Sequence, residues 1–375
     1  MENTETGARP AVNSGGYAGR IRFHGGDIYE AAKRYGFDRD RIVDFSSNGN
    51  PLGPSPAAKR AAQKALSLID RYPDPETTSL RTAIARYFGI KPEHVVCGNG
   101  SAGLIHLVPR VFRPNKILVP VPTFTEYAAA GESAGCEVVS LPLKERDGFR
   151  IDPIEMAFAL KGAGMAFLCN PNDPTGELIP KTVMLEIAQY ALQEGVKLVV
   201  DESFMDFTES ESVVKEAVQS SNLVCIRSFS PFFGMPGLRI GYAVSNESTI
   251  AAIRAGQEPW SASIPAEHAA IAALNDWRHS KKTRKMIEKE RNRLLSELRV
   301  LPDVETFPCT ANFILVKLTS YDARMLTDKL GKQGMLLRDC SSFPGLGNGY
   351  IRISVRRKRE NIRLVRAMRA LLVRK

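Results

Sequence analysis

Short apolar segments alternate with segments of helical periodicity from His94 onward, and this alternation restricts the possible folds more than any other feature of the sequence. The apolar segments, in chain order, are HVVCG, KILVP, EVVSL, MAFLCN, VKLVVD and LVCIRS. Strands joined through helices imply right-handed crossovers and parallel neighbours. The sequence therefore predicts an α/β fold with a mainly parallel sheet, whose ligands bind beyond the carboxyl ends of the strands.

The pattern changes after about residue 255, which predicts a second, smaller α+β domain. Long charged helical segments run to about Arg299, and the short apolar segments FILVKL, MLLRDC and YIRISV follow with further helices. Four parts are predicted: a disordered polar tail over 1–20, an N-terminal arm over 21–50, a large domain over 51–255, and a small C-terminal domain over 256–375. An interdomain helix is expected at about 265–299.

Composition sets broad limits on the class of protein. The chain has 375 residues, of which 43% are hydrophobic, so it can bury a large core. Without a long apolar run or a signal-peptide pattern, it is expected to be cytoplasmic and to make no membrane contact. The six cysteines lack a C-x-x-C pair, which predicts buried free thiols and no metal site. The net charge of +10 comes largely from a basic C-terminal face, and no nucleic-acid-binding pattern accompanies it.

Polar residues follow several of the predicted strands, and their types suit a phosphate group. Gly100 and Ser101 stand between a strand and a helix, where backbone N–H groups and the positive helix end can face an anion. Ser228, Ser230 and Arg239 add two hydroxyls and a guanidinium at another strand end. The sequence therefore predicts an anion site where these loops meet.

The segment LVCIRSFSPFFGMPGLRIGY, residues 223–242, resembles the cofactor-binding turn of fold-type I pyridoxal-phosphate (PLP) enzymes of the class I/II aminotransferase family. In those enzymes Ser-x-Ser/Thr-Lys precedes Gly-Leu-Arg-x-Gly-Tyr. Within the family the chain is most similar to threonine-phosphate decarboxylases and next to histidinol-phosphate aminotransferases, from His24 to the C-terminus. The motifs His24-Gly25-Gly26 and Pro259-Trp260-Ser261 favour the decarboxylases, whereas RYPDPE and DCSSFPGLGNGYIRIS are shared by both.

The resemblance implies a fold-type I PLP transferase with a defined set of cofactor contacts. Asp201 would pair with the pyridine nitrogen and keep it protonated, and Phe124 would stack on the ring. Tyr72 would reach the cofactor phosphate of a partner subunit, which implies a homodimer. The full set of implied PLP contacts is Gly100, Ser101, Phe124, Asp173, Asp201, Phe204, Ser228, Ser230, Arg239 and Tyr72.

The resemblance also implies a small phosphorylated amino acid as the substrate. Arg352 would bind its α-carboxylate, because a guanidinium fork suits a planar anion, and Arg338 would add an anion contact. The N-terminal arm at His24 would help to hold the substrate phosphate. The full set of implied substrate contacts is His24, Gly25, Asn50, Asn172, Arg338 and Arg352.

Three positions depart from the family pattern. Pro231 stands where the family has the lysine that forms a Schiff base with PLP, and this lysine does the covalent chemistry. Asp173 replaces an asparagine whose amide donates to the cofactor O3′, so that a carboxylate would oppose the phenolate. Phe204 stands where aminotransferases often have a tyrosine, although the decarboxylases resemble this chain in using Phe.

Three functions are compatible with these residues. The first is decarboxylation of O-phospho-L-threonine to an aminopropanol phosphate and CO₂, in cobalamin biosynthesis. The second is an aminotransferase reaction on a phosphorylated amino acid such as histidinol phosphate. The third is a lysine-less, non-catalytic or repurposed protein that binds PLP or a phospho-amino acid, and Pro231 is its main support.

Overall fold

A computed structural model of the chain describes residues 25–373. The predicted tail over 1–20 and the predicted site residue His24 lie outside this range. The α-helices of the described part are α1 (Ile28–Tyr35), α2 (Pro56–Ala65), α3 (Thr78–Phe88), α4 (Gly100–Phe112), α5 (Glu126–Ser133), α6 (Pro153–Leu160), α7 (Lys181–Gln193), α8 (Val214–Ala217), α9 (Glu247–Ala255), α10 (Ile264–Asn275), α11 (Trp277–Leu298), α12 (Ala323–Gly331) and α13 (Lys358–Leu372).

Strands of the described part form three sheets. In chain order they are β1 (Val43–Asp44), β2 (Val95–Gly98), β3 (Lys116–Val121), β4 (Glu137–Pro142), β5 (Met165–Cys169), β6 (Lys197–Asp201), β7 (Leu223–Ser228), β8 (Gly241–Val244), β9 (Val304–Thr306), β10 (Phe313–Leu318), β11 (Met335–Leu336), β12 (Arg338–Asp339) and β13 (Tyr350–Ser354).

The large sheet has seven strands in the order β2-β8-β7-β6-β5-β3-β4. All its neighbouring pairs are parallel except those that β8 makes with β2 and β7. Strands β2, β5 and β7 are buried along their whole length, as expected of a sheet covered by helices on both faces. The predicted α/β fold with a mainly parallel sheet is confirmed.

Strand register brings the predicted polar residues to one edge of the large sheet. Cys169 at the end of β5 is paired with Asp201 at the end of β6, and Asp201 is paired with Ile226 in β7. Ser228 ends β7 two residues later, opposite Gly241 of β8. The loops that follow these strands therefore begin side by side.

A smaller antiparallel sheet, in the order β12-β13-β10-β9, forms the centre of the C-terminal part. Helices α11, α12 and α13 contribute buried apolar residues to its core. The N-terminal arm belongs to this part as well, since β1 pairs with β11 and Phe45 is fully buried in the same core. A second, smaller α+β unit is thus present, as the sequence predicts.

The connection between the two parts consists of two helices, which corrects the prediction of one interdomain helix at about 265–299. Helix α10 ends at Asn275, and α11 begins at Trp277. Asp276 between them has non-helical angles, with φ −91° and ψ 66°, and its side chain accepts a hydrogen bond from the N–H of His279. An aspartate that caps the following helix interrupts the preceding one.

Helix α1 has a cap at each end. Asp27 caps its first turn by accepting from the N–H of Glu30, and Gly36 ends the helix at φ 70°. All six cysteines are free thiols, and all but the half-buried Cys309 are buried. None of the helices over residues 25–373 combines the length and the apolar character that crossing a bilayer requires.

Candidate active site

The start of α4 lies beside the turn that follows β7, and the region between Gly100, Ser230 and Arg239 is called the phosphate cup below. Gly100, the first residue of α4, has a φ of 73°, and a Cβ placed there would lie 3.1 Å from Cζ of Arg239 and closer still to its Nη2. A Cβ on Gly241 would lie 2.5 Å from the backbone nitrogen of Ser101. Both glycines are therefore needed for the guanidinium and the helix N-terminus to approach each other.

The donors around this cup come from two elements. Asn99 precedes α4 but makes no side-chain cap, so its side chain leaves the first N–H groups of the helix without this acceptor. Arg239 donates from Nη1 to the carbonyl of Pro236 at 2.9 Å and lies 3.5 Å from Oγ of Ser230. Ser230 in turn donates its N–H to Oγ of Ser228. The structure thus brings together all five predicted phosphate ligands.

Asp201 lies at the end of β6 and is 3% exposed. Its Oδ1 accepts from both the N–H and the hydroxyl of Ser203, and its Oδ2 accepts from the hydroxyl of Tyr127 at 2.8 Å. Burial raises the pKa of the Asp201 carboxyl, while these hydrogen bonds act in the opposite direction. A buried carboxylate of this kind is suited to a cationic partner.

Tyr127 is a site residue that the sequence interpretation missed. Its ring is fully buried and stacks on Phe167 at 5.2 Å, while Phe124 meets it edge-on at 5.6 Å. Burial raises the pKa of the Tyr127 phenol far above its usual value, so the hydroxyl stays protonated and donates to Asp201. Tyr127 follows Phe124 by three residues, and this helical spacing was the available signal.

The turn after β7 closes although residue 231 has no N–H to donate. Met235 donates its N–H to the carbonyl of Phe229, and Phe229 donates to Ile240. Asn50 donates from Nδ2 to the carbonyl of Phe232, the residue after Pro231. None of these hydrogen bonds is donated by position 231, which is why proline is accommodated in the turn.

The small sheet places two buried arginines near the loop that follows β5. Arg338 and Arg352 are directly opposed across β12 and β13 and are 7% and 5% exposed. Arg352 forms an ion pair through Nη1 with Asp173 Oδ1, and it donates from Nη2 to the carbonyl of Ser46 at 2.7 Å. A Cβ on Gly25 would overlap that carbonyl, so the N-terminal arm lies directly against the arginine site.

Two other predicted site residues contact neighbouring parts of the chain. Asn172 accepts at Oδ1 from Thr123 and donates from Nδ2 to Pro122 and Thr175, so its amide fixes the loop after β5. Phe204 is buried edge-on against Phe313, 5.0 Å away. Their predicted roles towards ligands stay predictions.

Tyr72 is exposed, as is Arg239, whereas the other described site residues are buried or half-buried. Tyr72 is 79% exposed, and its ring lies 4.6 Å from that of Trp260. Among residues 25–373 there is no group of three or more His, Cys, Asp or Glu side chains that could hold a metal ion.

Comparison with known proteins identifies the family of this site. The family model described as "Aminotransferase class I and II" matches residues 40–368. The chain belongs to the class I and II aminotransferase family. The resemblance inferred from residues 223–242 is thereby confirmed, together with the fold-type I architecture.

Relatives of this aminotransferase-family chain carry two different activities in their names. It is 34% identical to the threonine-phosphate decarboxylase of Salmonella typhimurium, over 93% of this chain and 96% of that protein. It is also 34% identical to histidinol-phosphate aminotransferase 2 of Archaeoglobus fulgidus, over 89% and 94%. The structure of the histidinol-phosphate aminotransferase from Sinorhizobium meliloti, in complex with pyridoxal-5′-phosphate, has a TM-score of 0.85 at 25% identity and covers 94% and 95% of the two chains.

The residues of this family member fit PLP at two of its three usual attachment points. The N-terminus of α4 and the Arg239 guanidinium supply donors that suit the phosphate, and Gly100 and Gly241 allow these two groups to approach each other. The buried carboxylate of Asp201 suits a protonated ring nitrogen. Covalent attachment has no counterpart, because Pro231 lacks an amine.

We expect Gly100→Ala to weaken PLP binding by about 10- to 100-fold, the value of one or two hydrogen bonds to a charged group. The new Cβ would displace the Arg239 guanidinium from the cup. Gly103→Ala is the matched control on the same helix, since its Cβ would lie 3.7 Å from that of Asn99, an ordinary contact. Fluorescence titration with PLP measures both variants. Wild-type affinity in Gly100→Ala would show that Arg239 does not bind the cofactor phosphate.

Proposed function

We propose that this protein binds PLP at the carboxyl edge of the large sheet and releases CO₂ from O-phospho-L-threonine, giving an aminopropanol phosphate. The observation that carries this proposal is that the phosphate cup and the buried Asp201 lie at one edge of the large sheet, where Asp173 from the loop after β5 contacts the buried Arg352 of the small sheet. Family membership and the solved PLP complex of a relative indicate the cofactor. The decarboxylase relative supports the reaction, with the cytoplasm and cobalamin biosynthesis as its proposed setting.

Each group of residues has a separate task in this reaction. The cup at α4 binds the cofactor phosphate, and Asp201 pairs with the ring nitrogen. Bound PLP supplies an acceptor for the electrons of the bond that breaks at the substrate α-carbon. Arg352 and Arg338 bind the α-carboxylate and orient the bond that is lost, which lowers the entropic part of the barrier. A proton replaces CO₂ on the α-carbon.

Pro231 favours a second function, that of a non-catalytic or repurposed protein that binds PLP or a phospho-amino acid. The lysine that relatives use at this position is a nucleophile and moves protons, and proline can do neither. The turn itself is closed by hydrogen bonds that position 231 does not donate. The difference between the two functions therefore depends on one side chain and can be tested by replacing it.

Pro231→Lys is expected to retain PLP covalently after borohydride reduction and to raise CO₂ release by about 10² to 10⁴-fold, the usual contribution of a general acid/base. Intact-mass spectrometry counts the cofactor bound per chain, and trapping of labelled CO₂ measures the reaction. Pro231→Ala is the control, since it removes the ring without adding an amine. A folded Pro231→Lys protein that binds no PLP would favour a site that no longer accepts the cofactor.

The proposed assembly is a homodimer in which Tyr72 reaches the partner's phosphate cup. Tyr72 is 79% exposed in one chain, so a second copy of the chain can reach its side chain. Sedimentation equilibrium at micromolar concentration with PLP should give a dimer. Tyr72→Phe should lower PLP affinity about tenfold by removing a hydrogen bond to a charged group, whereas Tyr29→Phe, 68% exposed on α1, should not. A monomer under these conditions would remove the role of Tyr72.

Substrate preference is expected to follow the buried arginines. O-phospho-L-threonine carries an α-carboxylate that histidinol phosphate lacks. Histidinol phosphate would therefore leave buried arginine donors unpaired, and we expect it to bind about tenfold or more weakly. Isothermal titration calorimetry on the PLP-loaded protein compares the two ligands directly. Tighter binding of histidinol phosphate would reverse the assignment in favour of aminotransferase activity.

A further inference from the structure

The pair of buried arginines on the small sheet has one carboxylate partner from the large domain. Arg338 and Arg352 lie opposite each other on adjacent antiparallel strands, so their side chains share one face of the sheet. Asp173, from the loop after β5, forms an ion pair with Arg352. Two guanidinium charges and one carboxylate charge give these three side chains, the arginine cluster, a net charge of +1.

The hydrogen-bonding capacity of the two arginines is not fully used within the described part of the chain. The Nε of Arg352 is buried and has no hydrogen-bond partner in the described part of the chain. Among the described residues, Arg338 makes one side-chain hydrogen bond, from Nη2 to Oγ of Ser342 at 2.8 Å. Burial lowers the pKa of Arg338, and the charge of Arg352 contributes to this shift. Both the unpaired donor and the excess positive charge indicate a site for an anion.

We propose, on the basis of the function proposed above, that Asp173 is an internal counter-anion that makes this cluster selective for a carboxylate over a phosphate monoester. A carboxylate has one negative charge, which the net charge of +1 neutralises. A phosphate monoester carries between about −1.5 and −2 at neutral pH. It would leave excess negative charge beside Asp173 in a site from which water is largely removed.

The size of the effect follows from Coulomb's law. One unit charge at about 5 Å in an effective dielectric of about 20 changes an equilibrium by roughly 300-fold, and solvent screening reduces this towards tenfold. Asp173 is thus a specificity-determining residue. An asparagine in its place would raise the net charge to +2 and make the same arginines a suitable site for a dianion.

The test uses two ligands that differ in the α-carboxylate alone: O-phospho-L-threonine and 1-aminopropan-2-ol phosphate. Calorimetry on the PLP-loaded full chain measures their affinity ratio. Wild type should bind the amino acid at least about tenfold more tightly. Asp173→Asn should increase the affinity for the carboxylate-free ester more than the affinity for the amino acid, so that the affinity ratio falls about tenfold.

Asp339→Asn is the matched control. Asp339 neighbours Arg338 on β12, but successive residues of a strand face opposite sides of the sheet, and its Oδ1 accepts from the N–H of Ser341. Removing this charge should change the ratio several-fold less than Asp173→Asn does, because the Asp339 carboxylate lies on the other face of the sheet and acts on Arg338 only through its electric field. An equal change in both variants would overturn the proposal, since it would show a general effect of net charge.

A second measurement separates failure of this inference from failure of the proposed function. Melting temperatures in acetate and in inorganic phosphate report anion binding without any phospho-amino acid. Phosphate should raise the melting temperature of Asp173→Asn more than that of wild type or Asp339→Asn. Acetate should raise the three melting temperatures by similar amounts. Should neither phosphate ester bind wild type, the decarboxylase function fails, and these melting curves still decide the role of Asp173. The inference is overturned if wild type binds the carboxylate-free ester as tightly as the amino acid, or if Asp173→Asn changes neither the ratio nor the response to phosphate.

Discussion

Arg227 is the residue on which the geometry of the site most depends. Its guanidinium is fully buried at the end of β7 and bonds to Glu202 and Glu209 at 2.9 Å each. These contacts join β7 to the loop that follows β6, and so they fix Ser228 relative to Asp201. Breaking a buried ion pair of this kind typically costs about 3–5 kcal/mol, because the remaining charges lose their partner. Ser228 and Asp201, the proposed contacts of the cofactor phosphate and ring nitrogen, are therefore held in fixed relative positions by an ion pair between other residues.

Much of the architecture could be predicted from the sequence because it depends on local periodicity. The apolar runs of β5, β6 and β7 predict parallel strands, and parallel strands place their carboxyl ends together. The cup followed from the same logic, since Gly100 and Arg239 belong to segments whose strand ends are adjacent. The break between α10 and α11 was missed because Asp276 is one polar residue in a long charged stretch, where a cap and a solvent-facing side chain look alike.

Contacts that depend on side-chain direction were not predictable in the same way. Asp173 and Arg352 are 179 residues apart and come from different parts of the fold. The sequence indicated that Asp173 was unusual and that Arg352 would bind an anion, yet nothing local shows that the first is the partner of the second. Tyr127 escaped notice for a related reason, because a buried tyrosine beside other aromatic residues has the pattern of ordinary core.

The closure of the turn around Pro231 separates two properties that usually constrain each other. Because Phe229, Ser230 and Met235 donate the hydrogen bonds that hold the turn, the backbone does not depend on the side chain at position 231. A lineage could therefore lose or recover the covalent chemistry of this enzyme family at that position with little selection from folding. In this fold, the residue that determines covalent reactivity can be replaced during evolution without a change in the backbone of the turn that carries it.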